Sequence, residues 1–276
     1  MNTGMRCTYM DSSNRSDIDM ILAIDAGNTN IVLGCLDGEN ARFTARFRTD
    51  RAKTEDEYAL YFRSLFDLHQ VDRSAMDGAI LSCVVSELTD VLCKAVETVI
   101  KKRPMVVGAG LKTGLNIKID NPAQLGADLV ADAVAALAKH PSPLVIFDMG
   151  TANTMSVIDG KGRFLGGAIM AGPRLSVDSL STRTSQLPHI ELDAPPKVIG
   201  SNTIQCMQSG AIYGHAAMID GLIERVQEEL GENLACVIAT GGLSRQIIPF
   251  CRHKIVLEEN LMLQGLRIIY EKNKRP

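Results

Sequence analysis

The sequence has no apolar run that approaches the roughly 18 residues needed for a membrane-spanning helix. Its seven cysteines are scattered without a C-x-x-C pair, a pattern that favours a reduced, cytoplasmic protein. The net charge of −3 gives no basic excess of the kind that nucleic-acid-binding surfaces carry. The sequence therefore predicts a cytoplasmic protein whose partners are neither membranes nor nucleic acids.

Two common nucleotide-binding motifs are also missing. The absence of a G-x-x-x-x-G-K-[ST] segment argues against a P-loop NTPase, and no G-x-G-x-x-G segment argues for NAD binding. The five histidines lack the spacing of a metal site, and His215, inside a predicted helix, is expected to be a packed residue.

Residues 1–19 are polar and show no periodic pattern. They lack the apolar stretch of a signal peptide, so secretion is not expected. Because the first strongly apolar strand begins at Met20, we expect residues 1–19 to be a disordered N-terminal extension. The chain as a whole is 46% hydrophobic, which is ordinary for a globular protein.

Two similar acidic turns recur at equivalent places in the chain, Asp25–Asn30 (DAGNTN) and Asp148–Asn153 (DMGTAN). Each follows an apolar strand and precedes a predicted hairpin and a helix. Repetition on this scale indicates an internal duplication of domain size. We predict an α/β protein with a first half at 20–139, a second half at 140–276, and an active cleft between them.

The composition of the two turns suits a nucleotide polyphosphate. Gly27 and Gly150 lack a Cβ, so backbone N–H groups approach phosphate oxygens closely. Hydroxyls of Thr29 and Thr151 add further donors. The nucleotide contacts predicted here are Asp25, Ala26, Gly27, Asn28, Thr29, Asn30 and Thr151. The alternative is a pair of ordinary β-turns, each capped by an aspartate.

Aspartates in these turns have a different role, because a carboxylate does not bind phosphate directly. Asp25 and Asp148 are predicted to hold a cation that neutralises the phosphates. A glycine pair, Gly241 and Gly242, ends a later strand (TGGL) and gives a flat surface for adenine or ribose. Its alternative is a plain strand-to-helix turn.

Asp128 opens a predicted helix, Ala127 to about Lys139, where the helix dipole favours a carboxylate. A carboxylate there is placed to accept a hydroxyl proton during phosphoryl transfer. Simple helix capping is the alternative explanation. Asp132, one turn later, is a rival for the same role, and Asp120 is interpreted as a turn residue.

The order of D-x-G-N-T-N, N-P-x-x-L-G-A-D, D-x-G-T-A-x-T, G-x-N-T-x-x-x-M-Q-S-G and T-G-G-L resembles the type III pantothenate kinases from Met20 to about Asn273. The resemblance implies two actin-like, ribonuclease H-like halves. It also implies ATP-dependent phosphorylation of pantothenate to 4'-phosphopantothenate, the first step of coenzyme A biosynthesis.

Site residues follow from the same resemblance. It makes Asp128 the general base, and Asp148 the ligand of a monovalent cation, K+ or NH4+, while Mg2+ is held near Asp25 through the ATP phosphates. Thr203 would reach the acceptor site of the other subunit in a homodimer. The residues expected to contact pantothenate are Ile119, Gly126, Ala127, Asp128, Leu129 and Thr203.

Two positions depart from the family pattern. Leu129 stands where the family has arginine, and Ile119 where it usually has tyrosine, so each replaces a polar contact to pantothenate with an apolar side chain. Arg174 or Arg183 are candidates for a replacement cation. These departures leave two alternatives open, a weakened nucleotide-binding paralogue with a regulatory role and a kinase for a related small alcohol.

Overall fold

The computed structural model describes residues 20–274. The extension predicted for residues 1–19 lies outside these residues. The first sheet has five strands, β1 (Met20–Ala26), β2 (Asn30–Asp37), β3 (Asn40–Arg48), β4 (Met76–Cys83) and β5 (Met105–Val106), in the order β3-β2-β1-β4-β5. Two helices, α1 (Glu55–Leu68) and α2 (Thr89–Ile100), share a hydrophobic core with this sheet.

The second sheet repeats this plan. It contains β6 (Asn116–Ile117), β7 (Leu144–Met149), β8 (Ala152–Ile158), β9 (Arg163–Ala171), β10 (Cys236–Thr240) and β11 (Val256–Leu257), in the order β11-β10-β7-β8-β9-β6. Strand β7 lies between antiparallel β8 and parallel β10, as β1 lies between antiparallel β2 and parallel β4. Helices α4 (Pro173–Arg183), α5 (Thr203–Leu230) and α6 (Ser244–Ile247) belong to this half of the chain.

Helices α3 (Ala127–Lys139) and α7 (Leu261–Asn273) lie between the two sheets. Ala131 of α3 and Leu266 of α7 share a core with Ile80 of the first sheet, whereas another face of α3, with Ala133 and Ala136, packs on the second sheet. A Cβ on Gly265 would lie 1.9 Å from the Ala131 carbonyl oxygen, so glycine is needed where the two helices meet. This helix pair fixes the relative position of the sheets.

Local sequence signals account for the element boundaries. Helix α1 begins with a capping box formed by the T-x-x-E sequence of Thr54 and Glu57, in which the Thr54 backbone N–H donates to Glu57 Oε2 at 2.8 Å. Helix α6 is short because a proline follows it closely. It ends at Ile247 and continues as a 3-10 turn to Phe250, because Pro249 has no N–H to continue the helical ladder. No helix among residues 20–274 is long and apolar enough to cross a membrane.

Candidate active site

The two acidic turns face each other where β1 and β7 end. Thr29 Oγ1 and Thr151 Oγ1 lie 2.9 Å apart and form a hydrogen bond. Each turn is closed by a similar backbone bond, from Gly27 N to the Asn30 oxygen at 3.0 Å and from Gly150 N to the Ala152 oxygen at 3.2 Å. The structure therefore brings the two predicted turns together in one place.

The first turn is held by the segment that follows β3. Thr49 Oγ1 donates to the Gly27 carbonyl at 2.7 Å, and Arg51 Nη2 donates to Asn28 Oδ1 at 3.2 Å. These bonds fix the loop while leaving Thr29 and Asn30 exposed. A ligand between the turns would therefore bind to a first turn whose conformation is already fixed by these hydrogen bonds.

Four carboxylates surround the base of this site. Asp25 lies on β1, Asp148 on β7, and Asp128 and Asp132 on α3. Burial, together with the charges of Asp128 and Asp148, raises the pKa of Asp25 to about 7, and the positive charge of Arg46 opposes this shift.

The same causes act on the other two buried acids. Burial, followed by the charge of Asp128, raises the pKa of Asp148 to about 6. Asp132 is only 2% exposed, and burial raises its pKa well above the usual range, with Asp148, Asp25 and Asp128 adding to the shift. The site therefore brings together carboxyl groups whose ionised forms are disfavoured, and a bound cation would stabilise those ionised forms.

Two carboxylate oxygens, Asp25 Oδ1 and Asp132 Oδ1, are buried without a hydrogen-bond partner, and the one on Asp25 lies near the end of β1, beside the first acidic turn. The same is true of the Oγ of Ser82, the neighbour of Asp25 on the parallel strand β4. Within residues 20–274, no group of three or more His, Cys, Asp or Glu side chains forms an all-protein metal site. Mg2+ fits this arrangement, since it is commonly held by one or two carboxylates together with substrate phosphates.

The carboxylate of Asp128 is accessible to a substrate, whereas that of Asp132 is buried. Its side chain is partly exposed in the first turn of α3, and Oδ1 accepts a bond from Leu129 N at 2.9 Å. A Cβ on Gly126 would lie 2.2 Å from that oxygen, so glycine leaves room for this carboxylate. Asp120 is exposed on the loop before α3. Of the three candidates, Asp128 combines a place at the site with accessibility.

The TGGL turn lies against the second acidic turn. Thr240 pairs with Asp148 in the parallel ladder, and Leu243 N donates to the Met149 oxygen at 3.1 Å. Gly241 has φ +87°, and a Cβ there would lie 2.4 Å from Asp148 Oδ1, so this position requires glycine. The predicted adenosine contact is therefore next to the predicted cation ligand.

Arg46 was not among the site residues predicted from the sequence. It extends from β3 of the first half towards this turn. A Cβ placed on Gly242 would lie 3.0 Å from Arg46 Nη1. The sequence offered no signal for this contact. Arg42, Arg46 and Arg48 all lie on the exposed face of β3, and the sequence does not distinguish one of them from the others.

The predicted acceptor residues have different surroundings. Ile119 is partly buried and packs against the core of the second sheet, with its Cγ2 3.7 Å from the place of a Cβ on Gly166. Leu129 is half-buried beside Asp128, and Thr203 is exposed at the first residue of α5.

The two candidate replacement cations lie on α4. Arg174 donates to the Ile190 oxygen at 3.1 Å and to Glu191 Oε2 at 3.3 Å. Arg183, the last residue of the helix, is exposed. His215 is buried in α5 with Nε2 3.2 Å from the Ala171 oxygen, which confirms that it is a packed residue.

Comparison with known sequences gives one consistent family. A sequence model of the type III pantothenate kinase family matches residues 21–225. A type III pantothenate kinase from Exiguobacterium sp. (strain AT1b) is 48% identical over 256 residues, which are 93% of this chain and 100% of that protein. One from Moorella thermoacetica is 42% identical over 254 residues, which are 92% of this chain and 100% of that protein.

Solved structures resemble the fold at low identity. Component A of (R)-2-hydroxyglutaryl-CoA dehydratase from Acidaminococcus fermentans superposes with a TM-score of 0.56 and 13% identity, covering 93% of this chain and 100% of that chain. A ROK hexokinase from Thermus thermophilus gives a TM-score of 0.52 and 11% identity, covering 92% and 99%. These actin-like neighbours confirm the predicted fold class.

Proposed function

The chain belongs to the type III pantothenate kinase family and phosphorylates pantothenate with ATP, the first step of coenzyme A biosynthesis, and we propose that this reaction takes place between its two acidic turns. The observation that carries the proposal is the contact of Thr29 with Thr151, which joins the two turns of a duplicated chain. The roles given below to single residues are part of this proposal.

The triphosphate of ATP is bound by both turns. Backbone N–H groups around Gly27 and Gly150 and the hydroxyls of Thr29 and Thr151 donate to its oxygens. The mutual bond of the two hydroxyls at 2.9 Å is exchanged for bonds to phosphate when ATP binds. The Gly241-Gly242 turn, which touches the second acidic turn, receives the adenosine.

Two cations complete the nucleotide site. The buried, unpartnered Oδ1 of Asp25 supports Asp25 as the carboxylate nearest Mg2+, with ATP phosphates as the main ligands. Mg2+ supplies charge neutralisation for the transferring phosphoryl group. A monovalent cation, K+ or NH4+, is assigned to Asp148, whose carboxylate lies among like charges that a cation would offset.

Asp128 removes the proton of the acceptor hydroxyl. The hydroxyl oxygen of pantothenate forms the new bond to the γ-phosphorus, the bond from that phosphorus to the β–γ bridging oxygen breaks, and ADP leaves with that electron pair. The proton passes to Asp128, whose carboxylate is partly exposed at the start of α3. A general base of this kind contributes about 10²- to 10⁴-fold to the rate.

Pantothenate lies on the α3 side of the site, where Gly126, Ala127 and Leu129 flank Asp128. Leu129 offers no hydrogen bond to the substrate carboxylate. Ile119 already packs against the core of the second sheet, so it contributes shape rather than polar recognition. We therefore expect weaker recognition of pantothenate than an arginine and a tyrosine would give.

A homodimer supplies Thr203 to the acceptor site of the partner subunit. The support is a concentration of exposed apolar side chains around α4 and the start of α5: Ile169, Leu175, Leu180, Val198, Ile199 and Ile204. Three of them, Val198, Ile199 and Ile204, lie within five residues of the exposed Thr203 in the chain. An exposed apolar surface of this kind is typical of an interface between subunits.

The reducing environment of the cytoplasm fits this protein. The cysteines of the described residues are free thiols: Cys35, Cys83, Cys93, Cys206, Cys236 and Cys251. This agrees with the scattered cysteine pattern of the sequence.

The experiment that tests the proposed function is transfer of labelled γ-phosphate from ATP to pantothenate, with K+ present and absent. We expect labelled 4'-phosphopantothenate, formed faster with K+. ATP binding without transfer would favour the regulatory paralogue. Transfer to another small alcohol but not to pantothenate would favour the second alternative.

A further inference from the structure

Arg46 crosses from the first half of the molecule to the nucleotide turn of the second. It lies on β3, opposite Val32 of β2, and its side chain is exposed. Its Nη1 lies 3.0 Å from the place that a Cβ of Gly242 would take. A larger residue at position 242 would therefore compete with the guanidinium for space.

The guanidinium has no partner in the described structure. Among residues 20–274, the side chain of Arg46 forms no hydrogen bond and no ion pair. Arg42 on the same strand differs, because its Nε donates to Asp37 Oδ2 at 2.7 Å. An arginine carries five N–H donors that favour planar oxyanions, so Arg46 has unused donors at the edge of a polar site.

The charge of Arg46 acts on both acidic turns. Its positive charge partly offsets the rise in the pKa of Asp25 in the first turn and of Asp148 in the second. Arg46 nevertheless lies too far from either carboxylate to form an ion pair. Its guanidinium is therefore close to both turns without being neutralised by them. A negatively charged group between the two turns would accept hydrogen bonds from the guanidinium and neutralise its charge.

We propose that Arg46 binds the phosphates of ATP, linking the nucleotide held against Gly241 and Gly242 to the first half of the molecule. This inference deepens the proposed function and rests on it for the identity of the nucleotide. The triphosphate carries more negative charge than one Mg2+ neutralises, and Arg46 supplies a further positive charge. Bidentate bonds from guanidinium to phosphate oxygens also favour one orientation of the chain of phosphates.

Binding measurements separate this role from a structural one. Dissociation constants for Mg-ATP, Mg-ADP and adenosine are measured by titration calorimetry for wild type, Arg46→Gln, Arg46→Lys and the control Arg42→Gln. The control removes an arginine from the same strand, at the end paired with Asp37. Circular dichroism verifies that each variant is folded.

We expect Arg46→Gln to raise the dissociation constant of Mg-ATP by roughly 10-fold or more, since a hydrogen bond to a charged group is strong enough for such a change. Arg46→Lys keeps the charge but not the bidentate geometry, so it should restore part of the affinity. Adenosine should bind equally to all variants, and Arg42→Gln should bind ATP like wild type.

Three results would overturn the assignment. Equal ATP affinity in wild type and Arg46→Gln would make Arg46 a surface residue. An equal loss for adenosine and ATP would place the contact on the nucleoside instead of the phosphates. A matching loss in Arg42→Gln would show a general effect of charge. Failure of wild type to phosphorylate pantothenate, with the expected binding pattern intact, would contradict the proposed function alone.

Discussion

Thr29 and Thr151 are 122 residues apart in the chain, yet their hydroxyl oxygens lie 2.9 Å from each other. The bond joins the two copies of a duplicated turn, and the rest of the proposed site is arranged around it. A nucleotide that occupies both turns must take over these two donors.

The first prediction concerns this hydroxyl pair. Thr29→Val and Thr151→Val each remove one donor to the triphosphate, so each should raise the dissociation constant of Mg-ATP by about 10-fold, within the range for a hydrogen bond to a charged group. Titration calorimetry measures the change. Thr44→Val, an exposed threonine of β3, is the matched control. Unchanged ATP affinity in both turn variants would remove the hydroxyls from the site.

Asp25 gives a prediction about turnover. Asp25→Asn should abolish detectable Mg-ATP turnover while leaving the fold intact, because the carboxylate nearest Mg2+ is lost. Circular dichroism and a coupled assay of ADP release compare the two proteins. Full activity of the variant would exclude Asp25 from the mechanism.

The raised pKa of Asp25 also predicts a pH-dependent stability in the absence of nucleotide. The folded pKa is about 7 and the unfolded value is about 3.9, so the folded state binds the proton more tightly. Stability of the wild type therefore falls as pH rises from about 4 to 7. Asp25→Asn has no carboxyl group to titrate at this position. Its free energy of unfolding, relative to that of wild type, should therefore increase by about a few kcal/mol between pH 4 and pH 7.

Thermal melting at pH 5 and pH 8 without nucleotide measures this effect. The difference in melting temperature between Asp25→Asn and wild type should shift in favour of the variant at pH 8. A difference that does not change with pH would mean that Asp25 is already ionised in the folded protein at pH 5.

The acceptor pocket gives a third prediction. Ile119→Tyr combined with Leu129→Arg should raise kcat/KM for pantothenate, mainly through a lower KM, because the carboxylate gains a charged hydrogen bond worth about 1.5–3 kcal/mol. Leu129→Arg alone is a useful comparison, since Ile119 packs against the core of the second sheet. A low KM in wild type that worsens in the double variant would reveal a compensating contact.

The fourth prediction concerns assembly. Sedimentation equilibrium at micromolar concentration should show a dimer of the 29.9 kDa chain. Ile199 is 86% exposed, and Ile199→Asp should produce monomers with reduced turnover if Thr203 serves the partner's site. Leu68→Asp, at a residue 73% exposed on α1, should remain dimeric. A monomeric wild type with full activity would exclude a shared site.

Much of the fold follows from local patterns in the sequence. The repeated D-x-G turns predicted the duplicated sheets, and the capping box at Thr54 predicted the start of α1. Strand β6, two residues long at Asn116–Ile117, was missed because so short a segment has no periodicity. Helix α7 packs on the first sheet although it ends the second half, a long-range arrangement that no local pattern encodes.

The parts of the proposed site that lie within one turn could be predicted from the sequence. The parts that depend on contacts between residues distant in sequence could not. The sequence pointed to Asp25 and Thr151 because their neighbours in sequence are the glycines of the same turns, and their roles stay predictions. Arg46 was missed because its importance depends on its proximity to Gly242, which is distant in sequence. Ile119 was interpreted from its place in a motif, whereas its packing against the core of the second sheet is a tertiary contact that the motif does not encode.

The most direct test of the account is a comparison of Asp128→Asn with Asp120→Asn, its exposed neighbour on the preceding loop. Single-turnover transfer from labelled ATP to pantothenate is measured alongside binding of a non-hydrolysable ATP analogue. We expect Asp128→Asn to transfer the phosphoryl group about 10²- to 10⁴-fold more slowly than wild type with unchanged affinity for the analogue, and Asp120→Asn to behave like wild type. Equal transfer rates in wild type and Asp128→Asn would contradict the assignment of Asp128 as the base.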